Sequence, residues 1–161
     1  MSNNQVLIIL NGQDQRILSE ESNKIILSEK KLEYIAQDHT LLQTNFYSLE
    51  DLIKANEIIK SHFSEIDELI IINKDIDLNM ISYQYDYNHI KQNYQILMNI
   101  IYFINLLVPL YKKKFYFKLS FDNDNHYKIH FNNFKISLIN YLKSLKKDLV
   151  KSSSINIKIL N

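Results

Sequence analysis

The sequence predicts one α/β domain: a parallel sheet of about six strands with helices on both faces, in three layers. Three observations carry this expectation. Short apolar runs rich in Ile, Leu and Val recur along the 161 residues, of the kind that strands buried on both faces show. Polar segments with apolar residues at helical spacing lie between several of them. The runs end in polar punctuation rather than in two-residue hairpin turns, and strands that alternate with helices pair in parallel.

Residues 6–10, VLIIL, end at Asn11 and Gly12 and read as a buried central strand followed by a turn. A second run, residues 24–28, leads into a segment where Leu32, Ile35 and Ala36 are spaced as on a helix. A third, residues 41–44, leads to Ser48, which is placed to cap a helix with Asp51 reaching back. Leu52, Ile53, Ile59, Phe63 and Ile66 then repeat close to one face, and the helix is expected to end near Asp67. Residues 68–73, ELIIIN, form a fourth strand.

After a connection holding Tyr83, Tyr85 and Tyr87, a long helix is expected over 88–108. Ile96, Ile100, Phe103 and Leu107 lie on one stripe, and Pro109 stops it. This helix is apolar nearly all round. Residues 115–120 make a fifth strand, 122–126 a polar turn, and a helix over 131–151 carries Leu138, Leu142, Leu145 and Leu149. Three serines, 152–154, break it before Ile155, Ile157 and Ile159 alternate with polar residues in a last strand. No repeat, linker or tail interrupts this order.

Composition excludes more than it selects. With no cysteine there are no disulfides, thiolate zinc sites or cysteine nucleophiles. The formal net charge of +1 gives no general attraction to nucleic acid or to anionic membranes. No run is expected to cross a bilayer, and residues 1–10 lack a basic flank and a cleavage site, so a cytoplasmic location is expected. Arg16 is the only arginine among nineteen basic residues, and Ile, Asn, Lys and Tyr are abundant, as in proteins from AT-rich genomes. On that background Lys112, Lys113 and Lys114 read as a solvated surface.

From Val6 to Leu160 the order of elements resembles that of the short-chain dehydrogenases/reductases, a Rossmann-fold family. Residues 48–72, SLEDLIKANEIIKSHFSEIDELIII, are the part most similar: a helix ends in a polar turn and an Ile-Asp pair opens the next strand. Residues 107–110, LVPL, then 117–120, and the helix leading to 155–159 follow in the family's order. The resemblance implies a dinucleotide on a Gly-rich turn after the first strand, where bare backbone approaches a pyrophosphate. Here only Gly12 is present, followed by QDQRIL, and residues 71–74, IINK, stand where the family has Asn-Asn-Ala-Gly. Gly12, Asn73 and Glu29, the last placed roughly where an acidic residue meets an adenosine ribose, are therefore read as vestiges, and no cofactor is expected.

The family's catalytic Tyr and the Lys four residues on fall at Phe131 and Lys135. Phenylalanine has no proton to give, so Lys135 has no phenol to activate. The matching Ser falls at Phe121, beside Ser120, which a one-residue slip would bring into place, and the matching Asn falls at Ile96. Tyr87 and Lys91 repeat the spacing, but before the long helix, where the family order has no catalytic pair. The sequence also ends after its sixth strand, where family members usually continue into a last strand and a substrate-binding segment, so no substrate lid is expected.

Asp122, Asp124, His126 and His130 are the densest potential metal ligands, in a loose spacing that does not fit a calcium loop, and no metal is expected. Tyr83, Tyr85 and Tyr87 share a face if extended, but no basic stripe is interleaved, so neither nucleic acid nor membrane is an expected partner. In the resembled family the helices matching 88–108 and 131–151 pack on their mates in a second subunit. That resemblance makes Ile101, Tyr102, Leu106 and Leu138 the interface candidates. The expectation is a non-catalytic domain that associates with itself or with a related subunit. An enzyme of altered chemistry using Ser120, Lys135, Tyr127 and the histidines is the alternative, and a nucleic-acid module using Lys112 to Lys114 the second.

Overall fold

The structure is a computed structural model that describes residues 3–12, 15–19, 21–30, 39–74, 87–121 and 129–160, with backbone alone at 15, 89 and 129–131. Six strands make one sheet: β1 (Asn4–Asn11), β2 (Asn23–Ser28), β3 (His39–Gln43), β4 (Ile66–Asn73), β5 (Tyr111–Phe121) and β6 (Ser154–Leu160). Their order is β3-β2-β1-β4-β5-β6 and every neighbouring pair is parallel, as expected. The chain runs outward from β1 to β3, returns beside β1 as β4 and runs outward again, so its crossovers diverge at the boundary of β1 and β4. In open α/β sheets that boundary is where ligands sit.

Among the described residues four α-helices connect the strands: α1 (Gln15–Ser19), α2 (Leu49–His62), α3 (Tyr87–Leu107) and α4 (Ile129–Asp148). One face of the sheet takes α2, α3 and α4 on a core that includes Val6, Ile8, Leu69, Ile71, Phe117 and Leu119 with Leu52, Ile59, Ile100, Phe103 and Leu142. Each such side chain stabilises the fold by about 1.5–3 kcal/mol when fully buried. The other face has a smaller cluster, Leu7, Ile9, Ile26, Ile70 and Ile72, closed by Ile17 of α1. The helix expected around Leu32, Ile35 and Ala36 lies outside the described residues.

The second face is not apolar throughout. Lys24 Nζ donates to Ser22 Oγ (2.6 Å), Ser22 Oγ to Gln5 Oε1 (2.8 Å), and Gln5 Nε2 to Glu68 Oε2 (2.7 Å). Lys118 Nζ reaches that same oxygen at 2.8 Å, completing a polar ladder across β2, β1, β4 and β5. Lys24 and Gln5 are only 1% exposed, so the ladder satisfies groups that burial would otherwise penalise.

Several boundaries differ from expectation, for local reasons. Ser48 caps α2, its Oγ accepting from Asp51 N (3.2 Å). Asp51, however, does not reach back to Ser48; its carboxylate accepts from Asn45 N (3.0 Å), because Ser48 N already donates to Asn45 O. Ile53 is exposed, and Ala55 and Asn56 take the inward positions. The helix stops at His62 because Phe63 is extended, and β4 opens at Ile66. Strand β5 starts at Tyr111, so the three lysines lie in a strand rather than in a loop, and Lys112 pairs with Asp67 at 2.7 Å.

Contrary to expectation, residues Ile90–Leu110 are long and apolar enough to cross a bilayer by length and composition alone. In this fold α3 packs its inner side, Leu97, Ile100, Phe103, Ile104 and Leu107, into the core.

Candidate functional site

The carboxyl ends of β1 and β4 frame the ligand position of an open α/β sheet. Asn11 and Asn73 pair at these ends and line a cavity of about 200 Å³ with Glu29, Asn93, Tyr47, Leu10, Phe46, Ile96 and Phe134. Small-molecule sites usually offer about 300–1,000 Å³.

Gly12 has φ +76°, a conformation that glycine adopts without strain. A Cβ added to it would stand 2.7 Å from Lys74 Cβ. Lys74 N donates to Asn11 O at 2.9 Å, so the turn after β1 is closed by the residue that follows β4. The glycine therefore allows a close contact between the residues at the ends of β1 and β4. Beyond it, α1 has five residues, little more than one turn of aligned peptide dipoles.

Tyr47 is the one tyrosine among the described lining residues. Burial first, and the Glu29 carboxylate second, hold its phenol above the ordinary range. That is the opposite direction from an acid–base tyrosine working near neutrality.

Phe121 is buried on the face covered by α4, with Lys135 Nζ 5.7 Å from its ring centroid. Strand alternation turns Ser120 to the other face, level with Ile72 and Leu160, and it is 1% exposed. Ser120 and Lys135 thus lie on opposite sides of the sheet, and a one-residue slip would exchange the strand's core face for the other one. Ser120 and Lys135, grouped in the alternative reading, do not meet. Phe131 is in α4, one turn before Lys135.

Asp122, Asp124, His126 and Tyr127 lie outside the described residues, as do Tyr83 and Tyr85. Among the described residues no group of three His, Cys, Asp or Glu could hold a metal. Tyr87 opens α3, and with Lys91 it stands on the exposed side of that helix.

The outer side of α3 and α4 is the other distinctive surface. Tyr102 is 43% exposed, and Ile101 and Leu106 are half-buried. Leu138 is corrected: it is fully buried, because it belongs to the inward stripe of α4 with Phe134, Leu142 and Leu145, and it cannot touch a partner. Sequence reasoning missed Met98 (63% exposed), Ile136 (55%) and Tyr94. Their signal was present, since 94, 98 and 102 recur every four residues on the side opposite Ile100, Phe103 and Leu107. Asn133 Nδ2 reaches Tyr94 OH (3.5 Å) and Tyr141 OH donates to Asn105 Oδ1, so the two helices form one continuous face.

Solved structures share this architecture. A short-chain dehydrogenase family protein from Francisella tularensis superposes with a TM-score of 0.76 at 18% identity, over 99% of this chain and 68% of that one. The chain has the short-chain dehydrogenase/reductase fold. A short-chain dehydrogenase from Leptospira borgpetersenii with bound NAD+ gives a TM-score of 0.74 at 14% identity, over 98% of this chain and 70% of the other. A 3-ketoacyl-(acyl-carrier-protein) reductase from Brucella melitensis, complexed with NADH, gives 0.75 at 14%, over 99% and 75%. No family model and no curated protein matches the sequence. The fold expectation and the likeness to short-chain dehydrogenases both hold.

Proposed function

We propose that this chain is a non-catalytic domain of short-chain dehydrogenase fold that acts through protein association. The observation that carries the reading is the apolar stripe Tyr94, Met98, Tyr102 and Ile136, exposed on a continuous face of two helices. Apolar groups clustered on a surface mark association sites far more often than single exposed ones do.

The carboxyl edge of the sheet supports the non-catalytic half. A dinucleotide, as two of the structural neighbours hold, needs backbone at the first turn and room for two nucleosides. Among the described residues of this edge Lys74 lies against Gly12, and the cavity they line is about 200 Å³. Those residues weigh against that group. The sequence has Phe131 where a proton donor would stand, and Tyr47 is shifted toward the neutral phenol.

The test is thermal melting with NAD(H) and NADP(H), beside light scattering and affinity capture from the source cells. No midpoint shift at millimolar cofactor, with a specific complex recovered and lost on Met98→Glu, is expected. A dose-dependent rise in midpoint, or a monomer that captures nothing, overturns the proposal.

A second reading, a small polar ligand at the carboxyl edge, is favoured by the convergence of Asn11, Asn73, Asn93 and Glu29 on one cavity. Saturable binding of an uncharged small molecule, abolished by Asn73→Leu, would support it.

A further inference from the structure

We infer that the amino ends of β4 and β5 form a site for a small zwitterion, a free amino acid or a dipeptide. The inference goes beyond the association reading and does not depend on it. Its ground is an arch in β5. Strand β4 advances from Ile66 to Glu68 while β5 advances from Tyr111 to Tyr116, so residues 112–115 have Asp67 alone opposite them on that side. On the other side the arch keeps its pairing, Lys114 with Ser154 and Phe115 with Ile155. The rings of Tyr111 and Phe115 stack with centroids 3.9 Å apart, whereas residues four apart in a regular strand are separated by about 13 Å. Both rings are buried, and Tyr111 OH donates to Ile104 O at 2.9 Å, so the arch is fixed from the core.

Bulges re-aim side chains, and this one opens a cavity of about 450 Å³ between β4 and β5, within the range of small-molecule sites. The two walls carry opposite charge. Glu65 and Glu68 line it from the β4 side, Lys113 and Lys114 from the arch, and Tyr116 lies beside them. Asp67 and Lys112 brace the walls against each other: Asp67 Oδ1 pairs with Lys112 Nζ at 2.7 Å, and its Oδ2 accepts from Asn4 N at 2.8 Å. Glu68 is 8% exposed, and both bonds that it makes among the described residues fall on Oε2, so Oε1 remains for the cavity.

A carboxylate oxygen with so little access to water is stabilised by an ammonium or amide donor, while Lys113 and Lys114 offer charge-assisted donors to a carboxylate. Lys114 Nζ lies 5.8 Å from the centroid of the Tyr116 ring, which sets that cation beside an aromatic wall. An amino acid or a dipeptide carries both groups on one short frame. A simple anion would satisfy the lysines but bring its charge against Glu65 and leave Glu68 Oε1 unmatched.

The test is an NMR titration of the isotope-labelled protein with glycine, glycylglycine and alanyltyrosine, read at the backbone amides of residues 65–68 and 112–116. N-acetylglycylglycine, which keeps only the anion, and glycylglycinamide, which keeps only the cation, are titrated beside them. The expected result is a saturable shift at those amides, with a dissociation constant below about 1 mM for at least one zwitterion and weaker binding of both half-charged analogues. The double variant Lys113→Gln, Lys114→Gln, at exposed positions, should weaken binding about tenfold, and Glu65→Gln about threefold. Either analogue binding as tightly as glycylglycine overturns the zwitterion assignment, as does an unchanged affinity in the lysine variant. No saturable shift at about 10 mM, or shifts confined to Asn11 and Asn73 at the carboxyl edge, overturns the site itself.

Discussion

Glu68 is the residue on which the second face of the sheet depends, and replacing it measures how much the ladder contributes. Its Oε2 accepts from Gln5 Nε2 at 2.7 Å and from Lys118 Nζ at 2.8 Å, and the Glu68 and Lys118 side chains are 11% and 18% exposed. In Glu68→Gln the shape and one acceptor oxygen remain, but the charge that offsets the Lys118 ammonium is removed. An exposed pair contributes about 0–1 kcal/mol, whereas removing one partner of a fully buried pair costs about 3–5 kcal/mol. The partial exposure here places the expected loss between them, at about 2–3 kcal/mol. For a domain of this size that lowers Tm by about 4–12 °C. Urea unfolding at neutral pH should show the shift in midpoint without a change in slope. A double-mutant cycle with Lys118→Met should return a coupling of about 1–3 kcal/mol. A loss below about 0.5 kcal/mol, or additive single substitutions, would refute the claim that the pair is coupled and desolvated.

Gly12→Ala should cost about 2 kcal/mol or more in chemical denaturation, from the positive φ and from the 2.7 Å approach to Lys74 Cβ; unchanged stability would mean the two turns are not in contact. Tyr111 donates to Ile104 O at 2.9 Å, and burial holds its phenol well above the ordinary value of 10. Above about pH 10 the unfolded chain therefore binds fewer protons than the folded one, and stability falls by up to about 1.4 kcal/mol per pH unit. Tyr111→Phe should flatten that alkaline fall at a cost of about 1 kcal/mol at neutral pH, and an unchanged alkaline limb would count against it. Asn56 is 5% exposed and its Oδ1 is buried without a hydrogen-bond partner, so Asn56→Leu, of similar volume, should raise stability by about 1–3 kcal/mol. A lower Tm for that variant would show that the amide is satisfied.

The strands at the centre of the sheet were legible because burial on both faces leaves a continuous apolar run, as in residues 6–10 and 69–72. Lys112 to Lys114 hid the start of β5. Three consecutive cations resemble a loop until Asp67, across the neighbouring strand, is in view to pair with Lys112. The five residues of α1 left no periodic signal, since two apolar positions, Ile17 and Leu18, define no stripe. Phe121 and Ser120 are adjacent in sequence, so a motif alone does not separate them. The sheet makes them opposites, because alternation is a property of the strand and not of the local motif. Leu138 shows a related limit. Its spacing marks a stripe on α4, and spacing does not say whether that stripe faces the sheet or a partner; the outward set, Met98 and Ile136, is what remains after the core has taken its share.

The contact between Gly12 and Lys74 makes the ends of β1 and β4 dependent on one another. A side chain at position 12 would meet Lys74 Cβ, and the bond from Lys74 N to Asn11 O ties the same two ends, so neither end can be rebuilt without the other. Each change made alone removes a contact without making room. Stability thus opposes single changes at this edge, and the two strand ends are held together as by a latch.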